Sequence, residues 1–206
     1  MSRNQRIGLF GGSFNPVHLG HLIAAQDAMD QMGLDRVIFL PAAHPPHKHA
    51  EILAPAADRL AMLRLAIGSD ERFEVSSEEI DRGGVSFTVE TLRRFRERLP
   101  DTDLYFIIGA DTLFELHTWR EIGAVLQLAE IVTVGRPGLT VGELNSQSLR
   151  LPEPWPARLA ANIVAGHHIE ISSTDIRNRV SRRRSIRFLV PDAVERYIRE
   201  HGLYRG

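Results

Sequence analysis

The residues best suited to chemistry lie in one short segment, where two glycines are followed by two histidines. Residues 11–21 have the sequence GGSFNPVHLGH and follow an apolar run at 6–10 directly. Glycines at a strand end permit a tight turn and let a phosphate come close to main-chain N–H groups. His18 and His21 are three residues apart, so both imidazoles lie on one side of the first turn of the following helix. The pattern predicts a phosphate site with two imidazole donors. It is not a Walker loop, which ends in Lys-Ser/Thr.

Each histidine alone is typical of a packed or helix-capping residue, whereas the whole segment after a strand favours phosphate binding. Gly20, between the two histidines, keeps the surface low enough for a bulky ligand to lie across it. The residues of this segment that we expect to bind ATP are Gly11, Gly12, Ser13, Phe14, Asn15 and Gly20.

A second anion site is predicted near the C-terminus. Residues 171–177 have the sequence ISSTDIR, in which Ser172 or Ser173 occupies the position of a helix N-cap. The N–H groups of that first helical turn, with Arg177 reaching back, suit the β- and γ-phosphates of ATP. By itself the segment fits a plain serine-capped helix with a surface arginine equally well. The pairing with the histidine segment is what favours phosphate binding.

The segment Pro-Pro-His-Lys after the second apolar run places Lys48 where it can neutralise phosphate charge. Three histidines in the same region, His44, His47 and His49, raise the question of a zinc site. No cysteine and no nearby carboxylate cluster accompanies them, so a metal site on protein side chains is not expected.

Short apolar runs alternate with helical patterns along the chain, which predicts an α/β fold. Strands are predicted at 6–10, 37–40, 73–75, 104–108, 130–134 and 168–171, and loops at 42–55 and 136–156. Helices are predicted between the strands, with Asp58 and Thr88 as N-caps and Gly33 as a C-terminal stop. This order is typical of a Rossmann-like doubly wound parallel sheet with helices on both faces. We expect a single domain over residues 1–206, with a C-terminal helical part, about 172–206, that carries ISSTDIR.

Composition excludes several classes of protein. The chain has 206 residues, a formal net charge of −1 and no cysteine, so disulfide scaffolds and thiolate catalysis are excluded. No apolar run approaches the ~18 residues of a membrane span, and the N-terminal apolar stretch is too short for a signal peptide. We therefore expect a cytoplasmic protein without nucleic-acid or membrane partners, and a homo-oligomer is compatible with the sequence.

The two motifs together resemble the nucleotidyltransferase superfamily that shares an HxGH motif, with Asn15 where many members have Asp. Three further segments resemble its nicotinate mononucleotide adenylyltransferase branch: PPHK at 45–48, SFTVETL at 86–92 and GADTL at 109–113 followed by Trp119. The resemblance covers residues 6 to about 204. It implies that Thr88 and Trp119 bind the mononucleotide, that Gly109 and Asp111 contact ATP, and that Mg²⁺ accompanies ATP. The pantetheine-phosphate branch is usually shorter and lacks this set.

The implied reaction transfers the adenylyl group of ATP to nicotinate mononucleotide. A phosphate monoester has a second pKa of about 6 and is already ionised at neutral pH, so no general base is needed. We assign His18 to the α-phosphate and the transition state, His21 to phosphate binding, and Lys48 and Arg177 to the leaving-group charge.

Other functions stay open on the sequence alone. Nicotinamide mononucleotide is an alternative acceptor, alone or with dual specificity, because a few pocket donors decide between acid and amide. A non-catalytic nucleotide sensor on the same fold has no need of both histidines, Lys48 and Arg177. An RNA-binding module could use the arginine run at 177–187, which lacks interleaved aromatic residues.

Overall fold

Within the residues that the computed structural model describes, 3–45, 53–135, 144–167 and 169–205, parallel strands form one sheet. The strands are β1 (Gln5–Gly12), β2 (Arg36–Pro41), β3 (Phe73–Val75), β4 (Thr102–Gly109), β5 (Glu130–Val134) and β6 (Ile163–Val164). They lie in the order β3-β2-β1-β4-β5-β6, and every neighbouring pair is parallel.

Helices connect the strands and continue beyond the last one. They are α1 (Leu19–Met32), α2 (Ala56–Ile67), α3 (Glu78–Arg82), α4 (Thr88–Arg98), α5 (Ala110–Leu113), α6 (Ile122–Leu128), α7 (Ser146–Leu149), α8 (Trp155–Ala161), α9 (Ser173–Ser181) and α10 (Asp192–Glu200), with a 3-10 turn at Leu116–Thr118. None of the helices in the described part of the chain is both long and apolar enough to cross a bilayer.

Two hydrophobic cores flank the sheet, because successive strand residues point to opposite faces. On one face Phe10 and Ile107 belong to a core that includes residues of α1, α2, α9 and α10. On the other face Leu9 and Phe106 belong to a core that includes residues of α4, α6, α7 and α8. A helix layer on each side of a parallel sheet confirms the predicted doubly wound α/β fold.

The direction of the strand order changes between β1 and β4. From β1 the chain runs through α1 to β2 on one side, and from β4 it runs through α5 and α6 to β5 on the other. In open sheets of this kind, ligands bind in the crevice beyond the carboxyl ends of the strands at the switch point. Because Gly12 ends β1 and Gly109 ends β4, the predicted glycine segments both lie at this crevice.

Some predicted positions are confirmed and one strand is wrong. The fifth strand has the predicted bounds, and Gly33, with φ of 58°, caps α1 in the left-handed conformation. The sixth strand is not at 168–171: β6 is Ile163–Val164, and residues 169–172 are not in a strand. The short β6 has too few apolar residues to be recognised, whereas Ile171, in the predicted run, packs against the core without belonging to a strand.

Both predicted helix caps lie inside their helices. Pro55 precedes α2, and Asp58 in its first turn accepts a hydrogen bond of 2.8 Å from the Tyr197 hydroxyl. Phe87 precedes α4, which makes Thr88 the first helical residue and not the cap. The predicted loop at 136–156 also contains α7 and the start of α8, and its residues 136–143 lie outside the described part.

Candidate active site

The first loop begins at the end of β1, and its glycines make room for two aromatic rings. A Cβ atom on Gly11 would lie 2.8 Å from Cζ of Phe106, and one on Gly12 would lie 3.1 Å from Cζ of Phe14. Both distances are shorter than the ~4 Å of ordinary packing contacts. Glycine is therefore required at this strand end for packing, in addition to any approach of a phosphate.

His18 and His21 form a stacked pair at the start of α1. His18 is the N-cap and is 6% exposed, and the two ring centroids are 3.7 Å apart at an angle of 29°. The His18 backbone N–H donates to Nδ1 of His21 at 3.2 Å. A neutral His21 therefore carries its proton on Nε2. The second imidazole is thereby oriented as an N–H donor, which suits a phosphate oxygen.

Gly20 lies against the His18 ring. A Cβ atom on Gly20 would be 3.1 Å from Nδ1 of His18 and 3.7 Å from Cγ2 of Ile169. The imidazole of His18 thus occupies the space that the missing side chain leaves. Gly20 contributes to the site by allowing His18 to adopt its place.

Phe14 and Asn15 are buried, with exposed fractions of 1% and 0%. Phe14 has φ of 46°, in a region that costs a non-glycine residue about 1–2 kcal/mol. Asn15 Oδ1 accepts hydrogen bonds from the Ala54 N–H at 3.0 Å and the Tyr204 hydroxyl at 2.9 Å. A contact of Phe14 with ATP would come from its backbone, while the Asn15 side chain holds the loop in its conformation.

The ISSTDIR helix packs directly on the first loop. Ser172 is the N-cap of α9, as predicted. The Ser173 hydroxyl donates to the Pro16 carbonyl at 2.8 Å, and Arg177 Nη1 donates to the Asn15 carbonyl at 2.9 Å. The structure therefore brings the two predicted anion-binding segments together at the carboxyl end of β1.

A cavity of about 490 Å³ opens at the switch point beside this loop. Trp119 packs edge-to-face against Phe106 at 5.9 Å, and both rings line the cavity. The predicted site residues in its wall are Gly11, Gly12, Ser13, Thr88, Gly109 and Trp119. The predicted residues that adjoin it only through the first loop are His18, His21, Ser172, Ser173 and Arg177. An aromatic-lined cavity with a few polar groups suits a small planar ligand.

A buried carboxyl group also lies in the cavity wall. Glu79 is 6% exposed and accepts a hydrogen bond of 2.6 Å from Thr91 Oγ1. Burial raises the pKa of Glu79, an effect that hydrogen bonds from Thr91 and Ser86 and the charge of Arg82 partly offset. The cavity wall therefore contains a carboxyl group that holds its proton more tightly than an exposed glutamate does. The sequence did not reveal Glu79, because it stands in the charged pattern of a solvated helix.

The other predicted residues are less directly connected to the cavity. Asp111 is exposed in the first turn of α5, which follows Gly109. Lys48 lies outside the described residues, as do His47 and His49. Among the residues with described positions, no three His, Cys, Asp or Glu side chains form a group able to hold a metal ion.

Comparison with known proteins identifies close relatives over nearly the full chain. The cytidylyltransferase-like family model matches residues 9–179. The probable nicotinate-nucleotide adenylyltransferase of Opitutus terrae is 45% identical over 201 residues, which cover 97% of this chain and 98% of that protein. A protein of the same name from Thermus thermophilus is 47% identical over 202 residues, which cover 97% of this chain and 100% of that protein.

A solved structure shares the whole fold. Plasmodium falciparum nicotinic acid mononucleotide adenylyltransferase complexed with NaAD superposes with a TM-score of 0.76 over 98% of each chain, at 15% identity. At that identity the likeness shows the fold alone, and the sequence relatives carry the assignment. The chain belongs to the cytidylyltransferase-like family and, within it, to the group of nicotinate-nucleotide adenylyltransferases.

Proposed function

We propose that this protein transfers the adenylyl group of ATP to nicotinate mononucleotide, forming deamido-NAD and pyrophosphate. The observation that carries the proposal is the contact between the histidine loop and the ISSTDIR helix, beside an aromatic-lined cavity. The histidine loop and the ISSTDIR helix together suit a triphosphate, and the cavity suits a small aromatic ring. Relatives with 45% and 47% identity are named for this activity.

The attacking group is the 5′-phosphate of the mononucleotide. One of its oxygens forms a bond to the α-phosphorus of ATP while the bond from that phosphorus to the β-phosphate oxygen breaks, and pyrophosphate leaves. Because the phosphate is ionised at neutral pH, the reaction needs alignment and charge stabilisation and no base. His18 and His21 donate hydrogen bonds in the region of the α-phosphate. Arg177 and Lys48 stabilise the negative charge of the leaving pyrophosphate.

The acceptor ring occupies the cavity in this proposal. Trp119 stacks on the pyridine, and Thr88, at the first position of α4, hydrogen-bonds to its carboxylate together with nearby N–H groups. Gly109 and Asp111, at the end of β4 and the start of α5, contact the nucleotide.

Magnesium carried in by ATP would neutralise phosphate charge during the transfer. In this proposal the ATP phosphates and water hold the ion, and no protein ligand is assigned to it. We place the reaction in the cytoplasm, because a chain without cysteine suits a reducing compartment.

Turnover with the two possible acceptors tests the proposal. Purified protein is incubated with ATP, Mg²⁺ and either nicotinate or nicotinamide mononucleotide, and pyrophosphate release is measured. Fast release with the acid and slow release with the amide is expected. Equal rates would make the enzyme dual-specific, and release with the amide alone would contradict the proposed acceptor.

A further inference from the structure

A buried arginine lies behind the first loop. Arg59, on α2, is 1% exposed. Its Nη1 donates to the Ser13 carbonyl at 2.8 Å, its Nη2 to the Ala43 carbonyl at 3.1 Å and its Nε to the Ala54 carbonyl at 3.0 Å. One guanidinium therefore joins the first loop, the segment after β2 and the segment before α2.

The charge of this arginine has no carboxylate beside it among the described residues. Burial lowers the pKa of Arg59, and Tyr204 acts in the opposite direction. A guanidinium nevertheless stays protonated in proteins. Burying a cation that is not paired with an anion is costly, and the three hydrogen bonds to carbonyls offset part of that cost. The position therefore points to a use for the charge.

The hydrogen bond from Arg59 fixes the orientation of one peptide group. The Ser13–Phe14 peptide is trans, and in a planar trans peptide the C=O and N–H point in opposite directions. The Phe14 N–H consequently points away from the guanidinium. Within the described parts of the chain this N–H makes no hydrogen bond. A donor held in this way, next to a predicted phosphate site, is suited to an anion.

We propose that Arg59 is a positioning residue for adenylyl transfer, which holds the Ser13 carbonyl inward, aims the loop N–H groups at the ATP phosphates and strengthens their binding through its charge. The inference rests on the proposed function, because it assigns the loop to ATP. A buried charge acts through a low-dielectric interior and is screened little by salt, so its effect reaches the far side of the loop.

Kinetics of Arg59→Lys test this role. Lysine retains the charge but cannot reproduce a planar fork that binds three carbonyls. We expect kcat/KM for ATP to fall by about 10- to 100-fold, as small misplacements of binding groups do. The KM for the acceptor should stay within about twofold. Arg59→Gln, which also removes the charge, should lower kcat/KM for ATP further.

The matched control is Arg64→Lys, because Arg64 lies on the same helix and is exposed. It should leave kcat/KM for ATP and the KM for the acceptor unchanged. A folded Arg59→Lys variant with reduced Tm and wild-type kcat/KM for ATP would show that Arg59 only stabilises the fold, and would overturn the proposal. An increase of the KM for the acceptor as large as that of the KM for ATP would overturn it as well.

A second measurement uses the wild-type protein and does not depend on variants that fold. Inorganic tripolyphosphate is titrated into ¹⁵N-labelled protein while the Arg59 guanidinium and Phe14 amide signals are followed by NMR. Coupled shifts of both are expected. A shift of the Phe14 amide signal while the Arg59 signal stays fixed would contradict the proposal. No acceptor is present, so this result is independent of whether nicotinate mononucleotide is the substrate, which the turnover assay decides.

Discussion

His21 acquires its orientation from the backbone of its neighbour. Because the His18 N–H donates to Nδ1 at 3.2 Å, the proton of a neutral His21 is confined to Nε2. The stacked His18 ring, 3.7 Å away, limits rotation further. At the residue scale, therefore, the candidate site contains an oriented donor of the kind that we propose for stabilising the transition state.

His21→Ala should lower kcat by about 100- to 1000-fold, the usual effect of removing one such donor. The far-UV circular dichroism and Tm should change little. His201→Ala is the control, because that ring stacks on Tyr197 at the end of α10. Near-normal turnover of His21→Ala would refute the assignment.

Trp119 provides an optical test of the acceptor site. The chain has two tryptophans, and Trp155 is the other, so Trp155→Phe leaves Trp119 as the only one. If the pyridine stacks on the indole as we propose, nicotinate mononucleotide should quench the fluorescence of this variant. Trp119→Phe, which keeps Trp155, should show no quenching and a higher KM for the acceptor. Equal quenching in both variants would place the acceptor elsewhere.

Glu79 predicts a pH dependence of stability. Its folded-state pKa is raised above the ordinary value of 4.5, so the folded protein binds the proton more tightly than the unfolded chain. Stability is then lost as pH rises from about 4.5 through the folded pKa. Glutamine does not titrate, so the Glu79→Gln variant does not lose stability in this way. The difference in the free energy of unfolding, variant minus wild type, should therefore be larger at pH 8 than at pH 5.

Urea unfolding at both pH values checks the Glu79 prediction. Glu97→Gln, at an exposed position of α4, serves as the control and should show no such difference. A gain from Glu79→Gln that is the same at pH 5 and pH 8 would mean that the buried carboxyl does not titrate in this way.

At the scale of elements, α1 connects the two motifs. Its first turn carries the histidines, and near its other end Asp27 accepts hydrogen bonds from the His167 backbone N–H at 2.9 Å and from His167 Nδ1 at 2.7 Å. Gln31 exchanges hydrogen bonds with the Ala165 backbone at 2.7 and 3.0 Å. The chain that leads into ISSTDIR is thus attached to the helix that bears His18 and His21.

Asp27→Asn should loosen this attachment. The amide accepts fewer hydrogen bonds than the buried carboxylate, and we expect a loss of about 1–3 kcal/mol in the free energy of unfolding. The kcat/KM for ATP should fall while the KM for the acceptor stays constant. Asp30→Asn, on the exposed side of α1, should have no effect. Unchanged ATP kinetics in a destabilised Asp27→Asn variant would limit Asp27 to a structural role.

Strands can be predicted from the sequence where a run of apolar residues is long enough to stand out. Five strands were placed from apolar runs, whereas the two residues of β6 depend on pairing with β5, a long-range contact that no local pattern encodes. The two segments that we propose to bind phosphate are predicted from residue types and spacing. Glu79 and Arg59 are not, because a charge inside a helical pattern predicts a solvated face, and only the tertiary structure shows that each is buried.

At the scale of the whole molecule, the net charge of −1 gives no general attraction for anions. We propose that local arrangement supplies this attraction. The switch point between β1 and β4 brings together loop N–H groups, two imidazoles, the first turn of α9 and the buried Arg59. Only the folded sheet makes these groups neighbours, since they come from residues 11 to 177 of the chain.

Transfer of label from [α-³²P]ATP tests the central claim most directly. With nicotinate mononucleotide and Mg²⁺, the account predicts that wild-type protein moves the label into deamido-NAD and releases unlabelled pyrophosphate in equal amount. His21→Ala should do so at a small fraction of the rate. Hydrolysis of ATP without labelled dinucleotide, or no reaction of the purified protein with this acceptor, would contradict the account.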